Sequence, residues 1–130
     1  MSVADVLNAA ADLLEPEGRW TRGHAARAVG GMGVDFNSPD ASCWCAWGAL
    51  AKVSGGNEVE AFEALTDHLQ LEQEIDPALF GEIWNDAPER TQAEVVQALR
   101  DAALKVSGNV PTDAVGTKAQ SAEVNQKDSQ

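Results

Sequence analysis

Cys43-Trp44-Cys45-Ala46-Trp47-Gly48-Ala49-Leu50-Ala51 is the stretch on which the reading of this chain turns. Both cysteines and two of the four tryptophans fall within these nine residues, and none of the nine is charged. A helix that is apolar on every side is a buried helix, with other elements packed around it. Just ahead, Ser38-Pro39-Asp40 has the composition of a helix start, with Pro in the first turn and Ser or Asp as cap. Gly55-Gly56 supplies the stop. The pattern predicts a central helix over 40–54, with Cys43 in its first turn. Gly48, together with Ala46, Ala49 and Ala51, gives that helix a small-residue face that another backbone can approach closely.

Working outward toward the N-terminus, residues 24–36 carry Gly30-Gly31-Met32-Gly33 between short apolar runs. Such glycines break a helix and suit a tight turn, so a short hairpin is expected here as the only β structure. Residues 2–15 read as an amphipathic helix. Ser2 is its cap and Asp5 the capping-box partner, while Val3, Val6, Leu7, Ala10, Leu13 and Leu14 form one stripe. Pro16 and Gly18 end it.

Toward the C-terminus, Asn57 with Glu60 signals a third helix carrying Val59, Phe62, Leu65 and Leu69. Asp76-Pro77 opens a short fourth with Leu79, Phe80, Ile83 and Trp84, broken at Asn85-Asp86-Ala87-Pro88. Thr91 and Glu94 form another capping box, followed by Val95, Val96, Leu99, Ala102, Ala103 and Val106. After Gly108 the composition turns to Ser, Thr, Gln, Asn, Asp and Lys, with almost nothing to bury. The expected organisation is a mainly α, compact single domain of about five helices over 1–107, and a flexible polar tail over 108–130. With 44% hydrophobic residues the domain can build a core without disulfides or metal staples.

The formal net charge is −12, from 21 acids against 9 bases. That surplus disfavours direct binding to nucleic-acid phosphates or to anionic membrane surfaces, both of which require Lys and Arg. No apolar run approaches a membrane span, and the first residues lack the pattern of a signal peptide, so a cytoplasmic location is expected. The charge is unevenly placed. Between Lys52 and Arg90 lie Glu58, Glu60, Glu63, Asp67, Glu72, Glu74, Asp76, Glu82, Asp86 and Glu89, with no Lys or Arg among them. A run of this kind is a solvated helix face, a docking surface for a basic partner or, with acids spaced along an extended surface, a mimic of nucleic acid.

Three other clusters carry potential chemistry. A Cys43 thiol in a helical first turn would have its pKa lowered by the helix dipole, and His24 lies upstream as a candidate base. This layout resembles that of papain-like enzymes. The order there places the His after the Cys, however, and His68, in an acidic helix beside Asp67, has no obvious orienting partner. Free cysteine is among the most buried residue types, and core packing is the competing reading. Cys-x-Cys is not a usual zinc spacing and the two histidines are unpaired, so no metal or other cofactor is expected. Trp84-Asn85-Asp86, followed by Arg90, sits at a helix junction. Its side chains can cap free backbone amides, with Arg90 pairing to Asp86, or they can line a small pocket. Arg19, Trp20, Arg22, His24 and Arg27 make a basic, aromatic segment able to stack on a ligand, or to pack on the core while its arginines meet the acidic half of the chain.

Taken together, Cys-Trp-Cys-x-x-Gly-Ala-Leu at 43–50, Trp-Asn-Asp at 84–86 and Arg-Thr-Gln-x-Glu-Val at 90–95 resemble a family of small bacterial and phage proteins of unknown function. The resemblance runs from residue 2 to about 106. It implies an N-terminal helix, a Trp- and Gly-containing segment, a helix ending in Gly-Ala-Leu, and a closing helix after Trp-Asn-Asp. It also makes a phage or prophage origin an expectation, with the host cytoplasm as the setting. It carries no activity.

The functional expectation is a non-enzymatic interaction module with a basic protein partner, bound through Glu58, Glu60, Glu63, Asp67, Glu72 and Glu74, and through Trp84, Asn85 and Asp86. The alternative is a small-ligand-binding protein or a cysteine-dependent enzyme using Cys43 and His24.

Overall fold

The computed structural model describes residues 1–72 and 74–108 of the chain. Five α-helices and a small antiparallel sheet make up these residues, so the fold is mainly α. The expected tail lies, beyond Gly108, outside the described residues. No helix among those described is long and apolar enough to cross a membrane.

Helix α1 spans Val3–Leu14, and its start is as the sequence predicts: Ser2 accepts from the Asp5 amide while Asp5 accepts from the Ser2 amide. The helix turns Val6, Leu7, Ala10, Ala11 and Leu14 fully inward. It packs against α2, α3 and α5, which makes α1 the shared wall of the core. The expectation that the 40–54 helix holds this place is corrected accordingly.

The decisive stretch itself divides in two. Ala41–Trp44 is a strand, β3, and only Ala46–Ser54 is helical, as α2. The expected helix start at 40 fails for a specific reason. A helix begun there would need the Trp44 amide to bond back to residue 40, whereas that amide donates to the Arg19 carbonyl at 2.8 Å. The Trp44 carbonyl in turn accepts from the Thr21 amide at 3.0 Å. Ser38 and Pro39 instead make a turn, closed by Ala41 N–H onto the Ser38 carbonyl.

Strand β3 pairs antiparallel with β1 (Ala26–Ala28), which pairs on its other side with β2 (Gly33–Val34). The expected hairpin over 24–36 is present as β1–β2, with Gly30 and Gly31 at positive φ in its turn. It is not the only β structure, because β3 completes a sheet of order β2-β1-β3. The pairing satisfies backbone groups of β1 that would otherwise be stranded against the core.

Helix α2 then starts from Cys45, whose sulfur accepts from the Gly48 amide at 3.2 Å. Here the small-residue face has its use. A Cβ at Gly48 would collide with the carbonyl of Ala25, which also accepts from the Cys45 amide at 3.0 Å. Only glycine lets α2 cross the segment entering β1 this closely. The helix ends at Gly55 in the left-handed conformation, as expected.

Helix α3 spans Val59–His68. Its cap residue is Glu58 with no side-chain bond, so the capping box expected from Asn57 and Glu60 does not form. The Asn57 amide is instead held by Ser54 Oγ at 3.0 Å. Helix α4, Pro77–Phe80, is capped by Asp76 and runs directly into one π-helical turn, Gly81–Asn85, closed by Asp86 N–H onto the Gly81 carbonyl. Helix α5 spans Gln92–Val106 behind the expected Thr91–Glu94 capping box. Phe80 joins the pieces: it meets Phe62 of α3 edge-on at 5.1 Å and stacks with Trp84 at 5.6 Å.

Candidate functional site

Four arginines among the described residues, Arg22, Arg27, Arg90 and Arg100, are engaged by the chain's own backbone, by tryptophan rings and by a few acids outside the acidic run. Arg27 donates to the carbonyls of Arg22 and Gly31 and to Thr21 Oγ1. Arg22 lies over the Trp20 ring and donates to the carbonyls of Ala87 and Arg90. The expectation that these arginines meet the acidic half is corrected: Arg22 alone reaches it, and through carbonyl oxygens rather than carboxylates, while Arg27 bonds within its own segment. Arg90 covers the Trp84 ring at 4.3 Å, donates to the Trp84 carbonyl and pairs with Glu94 at 3.7 Å. It makes no pair with Asp86, contrary to expectation, because Asp86 is turned toward the Gly23 amide at 3.1 Å. Arg100 bridges α5 to Asp12 and Glu15 at the end of α1.

The consequence falls on the acidic run. None of the ten carboxylates from Glu58 to Glu89 has an ion-pair partner among the described residues. Two serve the fold through hydrogen bonds: Asp76 caps α4, and Asp86 accepts from Gly23 and Asn85. The remaining acids face solvent or lie half-exposed.

Four of them border a groove of about 790 Å³ between the start of α1, the length of α3 and the end of α5. Glu60, Glu63 and Asp67 recur along α3 at steps of three and four, which places them on one face. Glu74 stands beyond the end of α3. Val3, Ala4, Ala64, Leu71 and Val106 supply the apolar part of the lining, beside Ser2, Thr66 and Ser107. A smaller hollow of about 110 Å³ continues it past Val3 and Glu60 toward Met1 and Ala61. Glu58 and Glu72, the other two acids singled out in the sequence, lie outside the groove lining.

The apolar lining was not legible as a site. Val3 and Val106 are the first and last members of core stripes in α1 and α5, and at those ends the stripes run past the core. Val106 stays 47% exposed as a result. A stripe that outlasts its partner helix is the signal that would have found it.

Trp84, Asn85 and Asp86 form a different kind of cluster. The π turn points Asn85 inward until it is completely buried. Its Oδ1 accepts from Trp20 Nε1 at 2.9 Å and from the Ala46 amide at 3.0 Å. Its Nδ2 donates to the Thr21 carbonyl at 3.0 Å and to Asp86 Oδ1 at 2.9 Å. Every hydrogen-bonding position of the amide is filled from within the chain. The cluster thereby ties the segment before β1, the start of α2 and the π turn together.

Cys43 and His24 are not brought together. The His24 ring packs on Gly33 of β2, while Cys43 stands on β3, and β1 runs between the two. Strand spacing alone separates those edges by roughly 10 Å. Cys43 Sγ lies 3.8 Å from the Arg27 carbonyl. Because Cys43 lies in a strand, the helix-dipole argument for an activated thiolate does not apply to it. The cysteine that does open the helix is Cys45, and burial pushes its thiol pKa up, with the Asp86 charge adding to the effect against the opposing Gly48 and Trp47 amides. A raised thiol pKa is the reverse of what a nucleophile needs. Among the described residues no three His, Cys, Asp or Glu side chains are grouped to hold a metal ion.

A family model described as "Family of unknown function (DUF6197)" matches residues 1–105. No curated protein and no solved structure matches the chain.

Proposed function

The chain belongs to that family of unknown function, and from this premise we propose that it is a non-enzymatic protein-interaction module that offers its acidic face to a basic partner. The observation that carries this reading is the division of charge. Arg22, Arg27, Arg90 and Arg100 are engaged by carbonyls, aromatic rings and acids outside the run, while the carboxylates between Glu58 and Glu89 are left without ion pairs among the described residues. Placing like charges together without counterions opposes folding, and a partner that neutralises them recovers that energy on binding. The resemblance to phage-borne proteins supports a phage or prophage origin, and the host cytoplasm is then the place where the partner is met.

The test is zero-length carbodiimide cross-linking in extract of the native host, with the protein at low and at raised salt. The expected result is a salt-sensitive cross-link between a partner lysine and an acid in the 58–89 run. Cross-links that map elsewhere, or capture that ignores salt, would remove the reading.

A further inference from the structure

The groove is more specific than the acidic face around it. Its four carboxylates are dispersed: no three acids among the described residues are grouped to hold a metal ion, so the arrangement matches several separated positive charges rather than one cation. Apolar side chains share the lining with those carboxylates. A complementary ligand must therefore carry both cations and aliphatic groups. The groove's bordering elements also decide the conformation of that ligand. They are the helices α1, α3 and α5 and the segment after α3, none of them a strand, so no strand edge is offered to an extended peptide. Along α3, Glu60, Glu63 and Asp67 lie about 4.5 and 6 Å apart in axial rise, the spacing at which a second helix repeats its own side chains.

We propose that this groove seats one amphipathic basic helix of the partner protein, its aliphatic face on Val3, Ala64, Leu71 and Val106 and its Lys or Arg side chains on Glu60, Glu63, Asp67 and Glu74. A peptide helix is about 10–12 Å across, so only one face enters, through anchors at steps of three and four. The proposal rests on the reading of the acidic face as a docking surface and narrows it to one seat.

Isothermal titration of the full chain with two synthetic peptides tests it. One peptide is an amphipathic helix of Leu and Lys with its leucines at steps of three and four. The other is a scrambled sequence of the same composition. Two double variants of equal charge are compared: Glu63→Lys with Asp67→Lys inside the groove, and Glu82→Lys with Glu89→Lys outside it. All four positions are solvent-exposed, so both variants keep the fold. The amphipathic peptide is expected to bind at least tenfold more tightly than the scrambled one. The groove variant loses at least tenfold and the outer variant less than threefold. Equal binding of the two peptides, or equal loss in both variants, overturns the groove as the seat while leaving the acidic face as a docking surface. Failure of both peptides to bind at low salt overturns both readings.

Discussion

The indole N–H of Trp20 donates to Oδ1 of Asn85 at 2.9 Å, across 65 residues of sequence and inside a site with no solvent access to the amide. This bond is one of four that Asn85 makes, and it links the segment before the sheet to the π turn before α5. Asn85→Ala leaves the Trp20 N–H, the Ala46 N–H and the Thr21 carbonyl without this partner. Each buried group left unpaired costs about 1–3 kcal/mol. A total loss of about 2–5 kcal/mol is expected in urea unfolding followed by tryptophan fluorescence. Asn85→Asp fares worse than its size implies, because an acceptor then faces the Thr21 carbonyl and a buried charge is added. A loss under about 1 kcal/mol for the alanine variant would mean that the network is not a structural tie.

Two glycines on helices are expected to respond to alanine in opposite directions. At Gly48 an added methyl collides with the Ala25 carbonyl, and backbone cannot rotate away as a side chain would. Gly48→Ala should cost about 3 kcal/mol or more by forcing α2 off the sheet. At Gly81, with φ −57° and ψ −49°, nothing lies within 4 Å of the new methyl. Gly81→Ala should be neutral or stabilise by up to about 1 kcal/mol, through lower entropy of the unfolded chain. Thermal melts of the pair check both signs at once.

This contrast also shows what the sequence could and could not reveal. The capping boxes at Ser2 and Thr91 involve residues three apart, so they are visible in one dimension, and both helices start where those boxes predict. The small-residue face around Gly48 was visible as well, although the carbonyl that requires it was not. The strand at Ala41–Trp44 was hidden because its composition is neutral between strand and buried helix, and what decides it is a bond from Trp44 to Arg19, 25 residues away. The acidic run was plain in the sequence. Its lack of counterions was not, since that depends on the carbonyls that Arg22 and Arg27 happen to reach.

Cys45 holds its thiol proton more tightly in the folded chain than in the unfolded one, because burial disfavours the thiolate. The stability this gives is complete below the ordinary thiol value of 9.0 and is lost as pH rises through the higher folded value. Unfolding free energy should therefore decline above about pH 9, and the decline should be shallower in Cys45→Ser, whose hydroxyl can still accept from the Gly48 amide. Under native conditions near neutral pH, Cys45 should resist iodoacetamide. Rapid labelling of Cys45 in the folded protein would contradict the raised pKa.

Like charges three and four apart on α3, at Glu60, Glu63 and Asp67, oppose helix formation, and added salt screens them. The melting temperature is expected to rise as sodium chloride goes from about 20 to about 500 mM, which spans the range over which screening sets in. The Arg100 pairs with Asp12 and Glu15 act in the other direction but are solvent-exposed, so they contribute little at any salt. In a Glu63→Gln variant the rise should be smaller. A melting temperature that falls with salt would mean that ion pairs outweigh the unpaired acids.

The central claim, that the acidic groove is the working surface, is tested most directly by amide NMR titration of the full chain with the amphipathic Leu/Lys peptide at low salt. The expected result is a contiguous set of shifted amides at Val3, Ala4, residues 60–67, Leu71, Glu74 and Val106, with those around Asn85 and Cys43 unmoved. Shifts centred on the sheet or on the Trp84–Asp86 cluster, with the groove silent, would contradict it.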